Sequence, residues 1–191
     1  MITIRQERPS DIEAREALLD AAFGEGRSRK SSERVREGRL PAEGLSFVAA
    51  EGGRIVGTVR LWHVACGLDN PSLLLGPMAV ADDRRGRGIG AALMERAIEA
   101  ARKLGHKAIV LVGDAPYYGR FGFTPEKTGA LWMPGPFERH RLLARELVPG
   151  ALDGARGLIA PTGHLAPKPE LAQLVAQDRR AQRLRRRPRA A

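Results

Sequence analysis

The stretch Arg85-Gly86-Arg87-Gly88-Ile89-Gly90 decides the fold because of the segments on either side of it. Residues 73–80 form an apolar run that predicts a buried strand, and residues 91–101 have the composition of a helix. A glycine-rich turn between a strand and a helix leaves backbone N–H groups unpaired at the positive end of the helix dipole. Arg85 and Arg87 can add charge-assisted hydrogen bonds. The stretch therefore predicts a binding site for a cofactor that contains pyrophosphate.

The elements around this unit predict a mixed α/β protein. Two apolar runs that flank Gly52-Gly53 are typical of a β-hairpin. Residues 108–114 are continuously apolar before Asp114, as expected for a strand that is covered on both faces. Further strands are predicted at residues 2–5 and 142–148. We expect a mostly antiparallel central sheet flanked by helices, with a central β-α-β cofactor-binding unit.

Two further helices are predicted before the hairpin. Ser10 and Glu13 have the spacing of a capping box, which predicts that a helix begins there. A second, short helix is predicted around residues 32–37.

Composition limits the class of protein. A chain of 191 residues with 43% hydrophobic residues fits one domain, which we place at residues 1–150, with a C-terminal extension at 151–191. The single cysteine, Cys66, excludes an intrachain disulfide framework and favours a reducing, cytoplasmic location. The cysteine and the four histidines do not cluster at ligand spacing, so no metal site is predicted. No apolar run approaches the roughly 18 residues of a membrane span, and no membrane association is expected.

The net charge of +10 is concentrated at one end of the chain. Residues 161–191 contain eight basic and two acidic residues, which leaves the rest of the chain with a net charge of +4. This tail could form a helix after Pro167, and it could contact nucleic acid or the ribosome. Because the tail contains no aromatic residue for base stacking, a solubilising terminus is favoured over a nucleic-acid site.

Two classes of pyrophosphate site compete for the glycine-rich stretch. Residues 86–91 also satisfy the dinucleotide pattern G-x-G-x-x-G/A, with Asp114 at the end of the next strand. Residues 81–85 separate the strand from the first glycine, however, and the unit follows an antiparallel hairpin. This spacing disfavours a dinucleotide fold, and the P-loop pattern is absent from the sequence.

The segment from Leu75 to Phe123 resembles the GNAT acetyltransferase superfamily. That family's cofactor signature, [QR]-x-x-G-x-[GA], is matched by residues 85–90. A family tyrosine shortly before a Gly-Phe turn is matched by Tyr118-Gly119-Arg120-Phe121-Gly122-Phe123. The resemblance covers about residues 1–150 in the order of its elements and is similar to a bacterial subgroup of predicted N-acetyltransferases. It implies transfer of an acetyl group from acetyl-coenzyme A to an amine, in a ternary complex.

The resemblance also implies roles for particular residues. The backbone amides of Arg85, Gly86, Arg87, Gly88, Ile89 and Gly90 would hold the pyrophosphate of acetyl-CoA. The strand through Met78, Ala79 and Val80 would pair with the pantetheine arm and polarise the thioester carbonyl. The diverging strand 108–113 would open the slot for that arm. Tyr118 is the candidate general acid, since a phenol stays protonated at neutral pH.

Several alternatives stay open in the sequence. Tyr118 could be a packing aromatic, in which case Tyr117 is the fallback acid. The general base could be Asp114, His63, Glu51 or a water chain. Cys66 lacks a paired histidine and is not expected to be a nucleophile.

The expected partner is a small-molecule or peptide amine, and the segments 24–44 and 124–140, the second with Trp132, are predicted to shape the pocket for this acceptor. The oligomeric state is expected to be a monomer or a homodimer. The alternative function is a catalytically inactive GNAT-fold module that binds nucleic acid or the ribosome through its tail.

Overall fold

The computed structural model describes residues 1–24, 26–27 and 31–167. Its strands are β1 Ile2–Gln6, β2 Ser46–Glu51, β3 Arg54–Cys66, β4 Pro71–Val80, β5 Ala108–Val112, β6 Leu131–Trp132, β7 Leu142–Glu146 and β8 Gly157–Pro161. Its α-helices are α1 Ile12–Phe23, α2 Ser31–Arg36, α3 Ile89–Lys103 and α4 Ala115–Gly119. The helix predicted after Pro167 lies outside the described residues.

The strands form one mixed sheet in the order β1-β2-β3-β4-β5-β7. β4 and β5 are parallel and are joined by α3, while the other neighbours along this order are antiparallel. β8 continues the sheet beside the end of β3, and β6 pairs with β8. The predicted mixed fold, with one central β4-α3-β5 unit, is therefore confirmed.

Local sequence signals explain most of the element ends. Gly52 and Gly53 have φ values of 56° and 84°, as a tight hairpin turn between β2 and β3 requires. Ser10 is not the cap that the sequence predicted, because a short 3-10 turn, Pro9–Asp11, precedes α1. Asp11 instead accepts a hydrogen bond from the backbone N–H of Arg8 at 2.7 Å.

None of the described helices is long and apolar enough to cross a membrane.

The sheet extends past residue 150, where the sequence analysis placed the start of the C-terminal extension. Ile159 and Pro161 of β8 lie opposite Cys66 and Val64 of β3, and Ile159 is fully buried. The strand is short and begins at a glycine, so its sequence carries little strand signal. Pairing with β3 and burial of Ile159, and not the local sequence pattern, stabilise β8 in the sheet.

One glycine in the sheet sets the position of α3. The apolar face of this helix packs on β3 at Gly57, where a Cβ atom would lie 2.9 Å from Cδ1 of Leu93 and 3.1 Å from Cγ2 of Ile89. Ile89 and Leu93 are buried one turn apart on the helix. Glycine at position 57 therefore lets the first turn of α3 approach the sheet more closely than any other residue would allow.

We predict that Gly57→Ala destabilises the fold. The added Cβ crowds Leu93, Ile89 and Ala49, and overpacking of this kind costs about 1–3 kcal/mol in the free energy of unfolding. Gly129→Ala is the matched control, because a Cβ at Gly129 meets no atom within 4 Å and should change stability by less than about 0.5 kcal/mol. Urea denaturation measures both. Equal stability of the two variants would contradict the packing described for α3.

Candidate active site

The site begins where β4 and β5 separate. In the described chain the two strands pair at two register positions, Leu73 with Ile109 and Leu74 with Val110. Beyond these pairs, Gly76 and Pro77 of β4 together lie opposite Arg60 of β3. This extra residue is a β-bulge, which bends a strand locally. The C-terminal halves of β4 and β5 therefore diverge, as the sequence analysis expected.

A cavity of about 460 Å³ occupies the space between the diverging strands. Its walls come from β4, from β5 with the turn after it, from α4, and from the end of α1 and the segment through α2. The lining residues are Phe23, Arg27, Ser32, Glu33, Arg36, Leu75, Gly76, Pro77, Met78, Leu111, Val112, Gly113, Asp114, Tyr117, Tyr118 and Arg141. Four separate parts of the chain thus meet at one concave surface.

The backbone of β4 faces this space at alternate residues. The N–H of Ala81 donates to the carbonyl oxygen of Val56 at 2.9 Å, and Ala79 lies opposite Thr58 in the same ladder. Because hydrogen-bonded pairs alternate along antiparallel strands, Ala79 directs its peptide groups toward β3 as well. Met78 and Val80 direct theirs to the other side, where β5 has already separated. Their N–H and C=O groups are therefore available to a ligand.

The glycine-rich turn ends at the N-terminus of α3. Gly86 and Gly88 have φ values of 75° and 76°, a left-handed conformation that side chains rarely adopt, and Gly88 is the N-cap of the helix. A Cβ at either position would meet no protein atom within 4 Å, so open space lies beside the turn. Arg85 pairs with Asp82 at 2.8 Å and Arg87 contacts Glu51 at 3.4 Å. Both guanidinium groups are largely exposed and can reach an anion at the turn.

Gly90, the last residue of the turn, has a different role. A Cβ at Gly90 would lie 2.8 Å from the hydroxyl oxygen of Tyr117. The Tyr117 phenol therefore rests over the first turn of α3, where a pyrophosphate is expected. The Arg120 guanidinium lies 4.6 Å from the centre of the Tyr117 ring. No part in the cofactor site was predicted for Tyr117 from the sequence, and only the fold shows this contact.

Tyr118 lies in the cavity wall, on a short helix that Asp114 caps. The Asp114 carboxylate accepts a hydrogen bond from the N–H of Tyr117 at 3.3 Å, and its carbonyl accepts one from Tyr118 at 3.0 Å. The Tyr118 ring lies against Gly113, where a Cβ would be 2.1 Å from its Cε2 atom. Burial raises the pKa of Tyr118 to about 12, against the lowering effect of the nearby Arg141. The phenol therefore keeps its proton at neutral pH.

The structure separates the candidates for the general base. Asp114 lines the cavity. Glu51 does not, and Arg84, whose Nε lies 2.5 Å from the carboxylate, lowers the pKa of Glu51. His63 is also outside the lining, with its ring 5.3 Å from that of His106.

Cys66 is buried in the core, away from the cavity. Burial raises the pKa of its thiol to about 11, so it is not a nucleophile at neutral pH.

Of the two segments predicted to shape the acceptor pocket, one lines this cavity. Residues of segment 24–44, including Glu33 and Arg36, line the cavity, but no described residue between 124 and 140 does. Trp132 is 56% exposed and packs against Phe137 and Arg139 instead. Arg36 is the wall residue that sequence reasoning missed, because one arginine in a polar segment carries no signal of burial.

Comparisons with known proteins agree with this architecture. The profile of the acetyltransferase (GNAT) family matches residues 12–123. YhbS of Escherichia coli K12, an uncharacterised N-acetyltransferase, is 29% identical over 157 residues, which cover 82% of this chain and 93% of YhbS. The solved structure of YhbS in complex with CoA has a TM-score of 0.71 and covers 84% of this chain and 89% of its own. A GNAT acetyltransferase of Brucella melitensis in complex with acetyl-CoA is 26% identical, with a TM-score of 0.60 and coverage of 88% and 96%.

The mixed sheet splits beside a glycine-rich helix N-terminus, and the family profile matches more than half of the chain. Together these two findings define an acetyltransferase. The chain belongs to the acetyltransferase (GNAT) family. The family and enzyme class predicted from residues 75–123 are therefore confirmed. The roles of the individual site residues stay predictions.

We predict that Gly113→Ala slows acetyl transfer without unfolding the protein. The new Cβ must displace the Tyr118 ring, and loss of a positioned general acid costs about 10²-fold in kcat. Gly119→Ala, one residue beyond Tyr118, is the control, since its Cβ would meet nothing within 4 Å. Release of free thiol from acetyl-CoA measures the rate. Unchanged kcat in Gly113→Ala would show that the Tyr118 position does not matter.

The raised pKa of Tyr118 predicts its titration behaviour. The chain contains two tyrosines, so Tyr117→Phe leaves Tyr118 as the sole phenol. Because burial favours the neutral form, its ultraviolet absorbance should show no tyrosinate until the pH approaches about 12. Ionisation of Tyr118 near its ordinary pKa of about 10 would contradict its burial.

Proposed function

We propose that the protein transfers the acetyl group of acetyl-CoA to a primary amine by direct reaction in a ternary complex. One observation carries the proposal: three features border the same split between β4 and β5. They are the glycine-rich turn 85–90, the peptide groups of Met78 and Val80 that face away from β3, and Tyr118. The relatives support it, since YhbS was solved with CoA and the Brucella protein with acetyl-CoA. A cavity of about 460 Å³ is of the size that binds small ligands.

The residues present fit this cofactor. Open space lies beside the left-handed glycines, and the N–H groups of residues 86–90 at the α3 N-terminus would hold the pyrophosphate. The Arg85 N–H already donates to the Asp82 carbonyl at 3.3 Å, so Arg85 would act through its guanidinium group. Arg85 and Arg87 would add charge-assisted hydrogen bonds. Met78 and Val80 would pair their backbone with the amides of the pantetheine arm. We assign the arm to these two residues because Ala79, the third in the predicted set, directs its peptide groups to β3.

The chemistry then follows from groups in the cavity wall. Bound acetyl-CoA supplies the acetyl group as a thioester. The Met78 N–H would donate a hydrogen bond to the carbonyl oxygen and stabilise the negative charge that develops there. Tyr118 would give its proton to the departing sulfur, and its raised pKa keeps that proton available. Asp114 lines the same cavity and would accept the proton that the attacking amine loses.

The rival function, an inactive module that binds nucleic acid or the ribosome through a basic tail, depends on residues 168–191. These lie outside the described residues, so the structure favours no role for them. The cytoplasmic location and the monomer or homodimer stay predictions from the sequence.

Calorimetric titration with acetyl-CoA tests the proposal. We expect micromolar binding by the wild-type protein and at least about tenfold weaker binding by Gly88→Ala, a loss of about 1.4 kcal/mol. Alanine at φ 76° is strained and shifts the N–H groups of the turn. Gly105→Ala is the control, because Gly105 has a φ of 79° at the other end of α3 and equally open surroundings.

Tyr118→Phe completes the test, since it should bind acetyl-CoA like the wild type and transfer acetyl groups about 10²-fold more slowly. If folded wild-type protein does not bind acetyl-CoA, the enzyme proposal is wrong. If Gly88→Ala and Gly105→Ala bind acetyl-CoA with equal affinity, the glycine-rich turn is not part of the cofactor site.

A further inference from the structure

Arg36, the last residue of α2, is a buried cation in the cavity wall. Its side chain is 6% exposed, and its Nη2 donates to Oε2 of Glu33 at 2.5 Å. Its Nε is buried and has no hydrogen-bond partner among the residues that the structure describes. Across the same described ranges, Nη1 has no hydrogen-bond partner either. A group with five N–H donors is thus left with one carboxylate.

A charge buried in this way is costly unless it is paired and hydrogen-bonded. Burial lowers the pKa of Arg36, and the nearby Arg27 adds to the lowering, while Glu33 opposes both. The Glu33 carboxylate is itself 30% exposed, so it compensates the guanidinium incompletely. A second carboxylate at Nη1 would give the guanidinium a second charge-assisted hydrogen-bond partner.

The rest of the wall is complementary to an anion. Among the residues that the structure describes, three cations, Arg27, Arg36 and Arg141, and two anions, Glu33 and Asp114, line the cavity. Arg27 is bound by Glu16 and Asp20, outside the lining. Arg141 lies 3.6 Å from the exposed Glu138. Of these three, Arg36 is the most buried, and its Nε and Nη1 have no hydrogen-bond partner among the described residues, whereas the side chain of Arg141 is 43% exposed to solvent.

Its location also suits an acceptor. The Nη1 atom of Arg36 is 3.4 Å from where a Cβ of Gly76 would lie. Gly76 is two residues before Met78, so their Cα atoms are at most about 7 Å apart. A small molecule can span this distance. It would place a carboxylate on Arg36 and an amine beside the thioester carbonyl at Met78.

Resting on the proposed function, we propose that the acceptor is a small amine that carries a carboxylate, of the amino-acid class, and that Arg36 binds this carboxylate. Arg36 is then a residue that determines specificity. Trp62, whose ring lies 6.0 Å from the guanidinium, supports it from the core and donates its own Nε1–H to the Gly76 carbonyl at 2.6 Å.

The test compares free amino acids with their carboxamides as acceptors for the full-length protein, with acetyl-CoA saturating and thiol release as the readout. The twenty protein amino acids are assayed beside their amides. We expect at least one amino acid to exceed its own amide by about tenfold or more in kcat/KM. Arg36→Gln should raise KM for that amino acid by about 10–100-fold, the range for hydrogen bonds to charged groups, and leave the amide unchanged. Arg34→Gln is the control, since Arg34 is exposed on the same helix and outside the cavity.

The outcomes separate this inference from the proposed function. If acetyl-CoA binds but no amino acid is preferred over its amide, the carboxylate inference is wrong and the cofactor assignment stands. If Arg36→Gln leaves KM unchanged, Arg36 does not read the carboxylate. If acetyl-CoA does not bind at all, both fall.

If Arg36→Gln does not fold, the KM comparison is made with Arg36→Lys. A melting-temperature measurement on the wild type then tests the inference independently. The melting temperature of the wild type with CoA should rise with the preferred amino acid and not with its amide. A rise with both, or with neither, overturns the inference.

Discussion

The bulge in β4 is the constraint on which the rest of the site depends. Gly76 and Pro77 occupy the space opposite one residue of β3, and parallel pairing with β5 does not continue past Leu74. The strands then separate, which leaves the peptide groups of Met78 and Val80 without a neighbouring strand. Unpaired backbone groups inside a protein need another partner, so the split favours a ligand with amides of its own. The cavity follows from this one irregularity, and the proposed cofactor and acceptor sites depend on it.

Glycines serve two physical purposes around this split. Gly86 and Gly88 take left-handed backbone conformations, and the space beside them is open, so the turn leaves room for a ligand. Gly57, Gly90 and Gly113 are needed because another part of the protein occupies the place of their Cβ atoms. The first group follows from the motif. The second group positions α3 and the two tyrosines, and it is recognised only when the packing is known.

Burial has opposite effects on two ionisable groups in the wall. It raises the pKa of the Tyr118 phenol, which favours the neutral acid that a departing thiolate requires. It lowers the pKa of Arg36, a cation whose Nε has no hydrogen-bond partner among the described residues. Both effects follow from the same exclusion of water. One cavity can therefore supply a proton at one wall and bind an anion at another.

The sequence by itself determined the order of elements, the hairpin at Gly52-Gly53, the glycine-rich turn and the tyrosine before the Gly-Phe turn, and from these the family. These features are local: each is specified by residues adjacent in the chain, through backbone conformation and hydrophobic periodicity. The tertiary structure decided the membership of β8 in the sheet, the contact of Tyr117 with Gly90 and the presence of Arg36 in the cavity. Each of these joins residues distant in sequence, and their contacts depend on burial and packing that no local pattern records.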